Sequence, residues 1–226
     1  MQRLNSFNLI HKALRAMMYD AALTLQQTYF ADVDEAEAVL AKVKSVVRQL
    51  EQHAYYEDVF ILPAIEAFEP ELVEAFEKEH VANAKIGNRL QTLITMYRSL
   101  QTSEERINCG SCISKSFRDF LVINISHMSK EEIEINRVLW ANYTDQQLLE
   151  LNERLTAAIP PEEKMLSAKW MLRSINKAEA ISWLQAVQQT LPACVFDALI
   201  DMTYTELPEQ IRAEVQDAVM EEELLF

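Results

Sequence analysis

The sequence predicts an all-α protein, a four-helix bundle followed by shorter helices. Only 2 glycines and 6 prolines occur in 226 residues, and β-folds need many more turn residues than that. The composition is rich in alanine, leucine, glutamate and glutamine, which lose little side-chain freedom in helices. In addition, four long stretches repeat apolar residues at spacings of three and four, the period of an amphipathic helix.

The first two predicted helices span about residues 4–29 and about residues 34–68. Between them the segment ADVDEAEA breaks the apolar pattern and offers Asp32 or Asp34 as an N-cap. Proline removes a backbone donor and clashes with the preceding turn. Pro63 therefore predicts either a kink in the second helix or its end at about Leu62.

The third predicted helix covers about residues 70–101 and begins with Pro70, because proline is favourable in the first helical position. The polar stretch QTSEERINCGSCISK is expected to connect it to a fourth helix at about residues 114–142. Helices of this length are typical of an antiparallel, up-down-up-down bundle. We assign residues 1–143 to that bundle.

Residues 144–226 are expected to form a helical C-terminal extension. Several short amphipathic pieces occur there, separated by Pro160, Pro161, Pro192 and Pro208. The extension contains no histidine. The final residues, EEELLF, are expected to fray.

The net charge of −14 disfavours two classes of partner, nucleic acids and anionic membrane surfaces. No segment approaches the roughly 20 apolar residues of a membrane helix. The N-terminal stretch MQRLNSFNLIHKAL lacks the apolar core of a signal peptide. We therefore expect a soluble, cytoplasmic protein.

All four histidines of the chain lie on the apolar lines of the predicted bundle helices. The pattern His-x-x-x-Glu occurs twice, as HAYYE and HMSKE, and a spacing of four places both side chains on one helix face. A lone histidine precedes each pair along the chain. The resulting set comprises His11, His53, Glu57, His80, His127 and Glu131.

A lone inward histidine is most often a hydrogen-bonded core residue. An inward glutamate is rarer, because burying an unpaired carboxylate costs roughly several kcal/mol. No lysine or arginine lies on these inward lines to neutralise the glutamates, whereas a metal cation would. Imidazole and carboxylate without thiolate suit iron, manganese or zinc, and six ligands suit two ions rather than one tetrahedral zinc.

Three segments, HAYYEDVFILP, EKEHVANAKIGNRL and ISHMSKEEIEINRVLW, resemble the corresponding helices of the hemerythrin-like (HHE cation-binding) family. The resemblance covers residues 1 to about 150. It implies a hemerythrin-like four-helix bundle around two iron ions with a bridging oxide or hydroxide; manganese or a mixed pair stays open. It further implies terminal ligands at His11, His53, His80 and His127, and bridging carboxylates at Glu57 and Glu131. Glu132 competes for the last place, but only Glu131 keeps the spacing of four.

The oxygen-carrying members have a fifth histidine four residues from the third-helix one, where this chain has Phe76 and Ala84. The set of four histidines and two glutamates is more similar to the iron–sulfur-repair and iron-responsive regulatory members. The resemblance thus implies a di-iron protein that binds or reacts with dioxygen, nitric oxide or peroxide, in stress response or iron–sulfur repair. Whether it is a di-iron oxidoreductase stays open.

Two other functions are consistent with the sequence. One is an iron- or oxygen-sensing regulatory module, whose state a protein partner reads through the C-terminal helices. The other is a metal-free interaction bundle, against which the four inward histidines weigh.

Further polar residues qualify for supporting roles. Asn124 either hydrogen-bonds a ligand histidine or bonds backbone or water. Tyr56 and Tyr19 are candidates near the metal, although packing between helices is the preferred explanation of Tyr56. Cys109 and Cys112 form a C-x-x-C expected just before the fourth helix, where a thiol pKa falls; they are either redox thiols or ordinary loop residues. Cys194, in an apolar stretch, is expected in the core.

Overall fold

A computed structural model describes residues 3–223, with side-chain surroundings up to residue 219. Within this range every regular element is a helix and no strand occurs, which confirms the all-α class. The predicted bundle region contains α1 (Asn8–Gln27), α2 (Val33–Tyr56), α3 (Leu62–Ile65), α4 (Pro70–Ser99), α5 (Ser103–Lys130) and α6 (Asn136–Asn142). Two predicted helix starts are confirmed: Asp32 caps α2, and Pro70 is the first residue of α4.

The predicted connection at residues 101–115 is wrong, because α5 already begins at Ser103. Its start is fixed by a capping box: the Thr102 hydroxyl accepts from the Glu105 backbone N–H at 3.2 Å, and the Glu105 carboxylate accepts from the Thr102 N–H at 3.1 Å. The sequence Thr-x-x-Glu that signals this cap is present within an otherwise polar stretch. Cys109 and Cys112 consequently lie inside a helix rather than before one.

Two short π-helical segments, Glu57–Ile61 and Glu131–Ile135, interrupt the second and fourth long helices. The first precedes Pro63, and the helical run continues past the proline to Ile65 instead of ending at Leu62. A wider turn before proline relieves the lost donor and the ring clash. No proline lies in the second segment, so proline is not the shared cause. Each π segment begins at a glutamate of the predicted metal site, and π turns are frequent at functional sites.

The helices after the bundle are α7 (Asp145–Ala158), α8 (Pro161–Ser174), α9 (Lys177–Gln188), α10 (Ala193–Glu206) and α11 (Glu209–Glu223). Part of the predicted frayed tail is therefore helical, and residues 224–226 lie outside the described residues. Contacts group the chain into two compact units. One consists of the residues up to Asn8 and Met17–Ala158, and the other of Leu9–Ala16 and the residues from Ile159 on. The boundary predicted between residues 143 and 144 stays a prediction.

Each unit has an apolar core of its own. In the first unit, one core cluster includes Phe7, Ile65, Phe76 and Leu139. The second unit is centred on Leu172, Leu184 and Val215, with Ala13 of α1 among its buried members. Cys194 is exposed, so its predicted place in the core is wrong. Among the described residues, no helix is long and apolar enough to cross a membrane.

Gly110 permits a close approach between α5 and Phe30. A Cβ at this position would lie 2.1 Å from the Phe30 ring, far inside van der Waals contact. That ring is itself held in place: Tyr97 packs edge-on against it at 6.0 Å and donates a hydrogen bond to the Phe30 carbonyl at 2.8 Å. The absence of a side chain at Gly110 therefore lets α5 approach the Phe30 segment.

The substitution Gly110→Ala is expected to lower the free energy of unfolding by about 1–3 kcal/mol, because overpacking outweighs the roughly 1 kcal/mol that alanine gains over glycine in a helix. Thermal unfolding followed by circular dichroism measures the change. The exposed neighbour Ser111 provides the control, and Ser111→Ala should alter stability by no more than about 0.5 kcal/mol. A Gly110→Ala protein as stable as the original would contradict the packing described above.

Candidate metal centre

The six predicted ligands occupy four long helical runs and are withdrawn from solvent. His11, Glu57, His80, His127 and Glu131 are all buried, with no exposed surface on His11 and Glu131. His53 is partly buried, with 13% of its side chain exposed. Glu57 and Glu131 are the first residues of the two π segments.

His80 faces both glutamates. Its Nε2 lies 3.5 Å from a Glu57 oxygen and 3.6 Å from a Glu131 oxygen. Each glutamate also lies beside the histidine one turn before it: His53 Nε2 is 3.2 Å from Glu57, and His127 Nε2 is 2.6 Å from Glu131. The imidazole nitrogens of three helical runs therefore converge on two carboxylates.

These contacts form two overlapping groups, in each of which the potential ligand atoms all lie within 4.8 Å of one another. One group contains Glu57, His80, His127 and Glu131, and the other contains His11, His53, Glu57 and Glu131. Both glutamates belong to both groups. That sharing is the arrangement expected of carboxylates that contact two ions at once.

The donor set fits metal ions. Imidazole nitrogen and carboxylate oxygen without thiolate are the ligands that iron, manganese and zinc accept. The buried Nε2 atoms of His80 and His127 approach the carboxylates without the geometry of a hydrogen bond. A cation between such atoms would coordinate both partners, whereas in a merely structural cluster buried polar atoms are normally hydrogen-bonded.

Two carboxylates behind the histidine rings were not identified from the sequence. Asp58 lies 2.6 Å from the Nδ1 of His80, and Glu79 lies 2.9 Å from the Nδ1 of His127. Glu79 also accepts a hydrogen bond from Lys130 at 2.5 Å. Such partners fix the ring orientation and raise the basicity of the ligand nitrogen. Both stand next to a predicted ligand in sequence, Asp58 after Glu57 and Glu79 before His80, and that adjacency was the available signal.

The carboxylates control the protonation of the imidazoles. Burial lowers the pKa of His80, but Glu131 and Glu57 outweigh this effect and raise the pKa to about 11. Against the same effect of burial, Glu57 raises the pKa of His53 and Glu131 raises that of His127. The nearby glutamates thus favour the charged form of these rings, and a bound metal cation would neutralise the same carboxylates.

The other candidates from the sequence differ in their burial and in their hydrogen-bond partners. Glu132 is half-buried and belongs to neither group, so Glu131 is the better placed of the two. Asn124 is buried, but its amide donates to the Phe120 carbonyl at 2.8 Å rather than to a histidine. Phe76, one of the two positions four residues from His80, packs edge-on against His127, with ring centroids 5.5 Å apart.

The tyrosines differ from expectation. Tyr19 is 52% exposed, and Tyr56 packs edge-on against Tyr55 with ring centroids 5.3 Å apart. Tyr55, rather than either predicted tyrosine, lines the cavity beside the histidines.

The predicted lowering of a thiol pKa is wrong for Cys109. This residue is buried within α5, where its thiol donates to the Leu93 carbonyl at 3.6 Å. Burial raises its pKa, as does the neighbouring Cys112, which is exposed. The redox role of Cys109 and Cys112 stays a prediction. The position just before a helix, which was the reason to expect a lowered thiol pKa, does not occur.

A cavity of about 250 Å³ adjoins the histidines. His53, Glu57, His80 and His127 all contribute to its lining. Exposed residues, including Tyr55 and Asp58, line it as well, so that it reaches the surface. A small molecule could therefore approach the ligand side chains from solvent.

The family model of the hemerythrin HHE cation-binding domain matches residues 4–139. No curated protein and no solved structure matches the chain. The matched segment is more than half of the 226 residues and contains every histidine and both glutamates of the two groups. The chain therefore belongs to the hemerythrin HHE cation-binding family and is a metal-binding protein.

Proposed function

We propose that this chain is a non-haem di-iron protein that binds or reacts with a small oxidant, namely dioxygen, nitric oxide or peroxide. The observation that supports the proposal is the presence of Glu57 and Glu131 in both ligand groups. Two ions that share two carboxylates would lie close enough to act together on one small molecule. Stress defence and iron–sulfur repair are the settings in which such a reaction is useful.

The side chains have separable roles in this proposal. The four histidines would hold the metal ions, and the two glutamates would bind them and neutralise their charge. Asp58 and Glu79 orient the rings of His80 and His127 through their Nδ1 atoms. When bound, two iron ions supply redox chemistry and open coordination positions. The cavity beside the histidines gives a small molecule access to those positions.

Metal analysis tests the proposal directly. We expect about two iron ions per chain in the protein purified from aerobic culture, with a near-ultraviolet band typical of an oxo-bridged pair. The spectrum should change on addition of dioxygen to the reduced protein, or of nitric oxide or hydrogen peroxide. Elemental analysis also separates iron from manganese or zinc. Fewer than one metal ion per chain in the unaltered protein would contradict the proposal.

Neighbouring glutamates provide a matched pair of variants. Glu131→Ala is expected to weaken metal binding by about 100-fold or more, because it removes a ligand that both groups share. Glu132→Ala, one residue away and outside both groups, should leave the metal content unchanged. Competition with a chelator measures the affinities, and circular dichroism verifies that both variants fold. Equal losses in the two variants would remove the distinction between these residues.

One observation favours the alternative, an iron- or oxygen-sensing module. Residues 9–16, which include His11, belong to the second unit together with the C-terminal helices. Ala13 is part of that unit's core, and Lys12 pairs with Glu179 at 2.5 Å. A change in the position of His11 on metal binding would therefore act within the unit formed by the C-terminal helices.

If the protein is a sensor, removing the metal should increase protease cleavage after residue 144, because the segment around His11 loses a restraint. Limited proteolysis with mass spectrometry of the loaded and metal-free full-length chain measures the effect. Cleavage of the bundle loops serves as the reference. Identical digestion after residue 144, together with rapid reaction of the iron with an oxidant, would favour the oxidant function alone.

A further inference from the structure

Cys109 and Cys112 form a pair on α5 that takes no part in the metal centre. Both lie within the helix Ser103–Lys130, and both are free thiols. His127 follows Cys109 on this helix by about five turns, roughly 27 Å along the axis. The pair is therefore a separate chemical site. The third cysteine, Cys194, is exposed and belongs to the second unit.

The two thiols of the pair differ in their access to solvent. Cys112 is exposed, whereas Cys109 is only 4% exposed and donates a hydrogen bond to the Leu93 carbonyl at 3.6 Å. Burial raises the pKa of the Cys109 thiol, and the neighbouring Cys112 raises it further. A reagent from solvent would thus react with Cys112 first, because Cys112 is the accessible thiol of the pair.

Helix geometry brings the pair close to the dimensions of a disulfide. Residues three apart in an α-helix have Cα atoms about 5 Å apart, within the roughly 4.4–6.8 Å that disulfides span. Their Cβ atoms are about 5–6 Å apart in a regular helix, whereas a disulfide needs about 3.5–4.5 Å. A bond between the two sulfurs therefore requires a small local change of the helix. Gly110 lies between the two cysteines, and glycine weakens a helix interior.

We propose that Cys109 and Cys112 are a reversible thiol–disulfide site, which exchanges with low-molecular-weight disulfides such as oxidised glutathione. The helix must bring the two Cβ atoms closer together, so the bond is strained, and strained disulfides are easily reduced. The pair would therefore cycle between dithiol and disulfide rather than hold the bundle together. This inference goes beyond the proposed di-iron function and does not depend on it.

The exchange has two steps. The Cys112 thiolate attacks one sulfur of the small disulfide, whose S–S bond breaks as a mixed disulfide forms on Cys112 and one small thiolate leaves. The Cys109 thiol then gives up its hydrogen bond to Leu93, loses its proton and attacks the Cys112 Sγ, which releases the second small thiolate. The two protons of the cysteine thiols pass through solvent to the two released thiolates. Two electrons move from the cysteine pair to the small disulfide.

Mass spectrometry of the full-length protein tests the inference. The protein is incubated with oxidised glutathione under nitrogen, its remaining thiols are alkylated, and it is digested with trypsin. Cleavage after Arg106 and Lys115 leaves both cysteines on one peptide, INCGSCISK, and Cys194 on another. We expect INCGSCISK to lose two hydrogen atoms and to carry neither label nor glutathione. Cys194, which has no neighbouring cysteine in sequence, should instead keep a glutathione adduct. An excess of reduced glutathione should restore the dithiol.

Variants of the pair separate the two steps. In Cys109→Ala the mixed disulfide has no second thiol to displace it, so the fraction of chains with glutathione on Cys112 should rise about tenfold or more. In Cys112→Ser, Cys109 should stay unmodified because it is buried, while Cys194 still reacts. Circular dichroism verifies the fold of each variant, and the result for the unaltered protein requires no substitution.

Three outcomes would overturn the inference. The first is a glutathione adduct on Cys112 of the unaltered protein, as on Cys194, without the loss of two hydrogen atoms. The second is an unmodified Cys112 beside a modified Cys194. The third is a disulfide that survives excess reduced glutathione in the folded protein, because the bond would then be structural. None of these results bears on the metal content, so the di-iron function stands or falls separately.

Discussion

The burial of two carboxylates in the middle of a helical bundle is the constraint on which the rest of this structure depends. Glu131 is fully buried and Glu57 is 2% exposed. A carboxylate in that position is strongly destabilising unless a positive charge stands beside it. Three imidazoles stand beside these carboxylates, which raise the pKa values of His53, His80 and His127 against the effect of burial. A bound metal cation would neutralise the same carboxylates.

Local backbone geometry supports this arrangement. The histidine one turn before each glutamate lies on the same helix face, and each glutamate opens a π segment. A π turn widens the helix by one residue and redirects the side chains that follow it. Asp58 and Glu79 then hold the outer nitrogens of His80 and His127, so that the inner nitrogens face the carboxylates. Both the predicted ligands and the carboxylates behind the histidine rings therefore have fixed orientations.

The surroundings of the site bear on what it binds. Four residues before His80, Phe76 packs against His127, and the residue four positions after His80 is Ala84. The space beside the histidines is a cavity with an apolar wall, acidic side chains at its opening and Asn83 within it. Family membership establishes metal binding, whereas the identity of the small molecule is a proposal.

The sequence by itself determined the all-α class, four long helices and the placement of four histidines and two glutamates on apolar lines. These follow from helical periodicity, which is local: spacings of three and four fix a common face whatever the rest of the chain does. The beginning of α5 at Ser103 was also local, but the polarity of the segment concealed its capping box. Only the tertiary structure decided which groups meet across helices. The contacts of Asp58 and Glu79 with the histidine rings, the exposure of Tyr19, and the cavity with Asn83 in its wall all depend on how the helices are rotated and packed, and no spacing within one helix specifies that rotation.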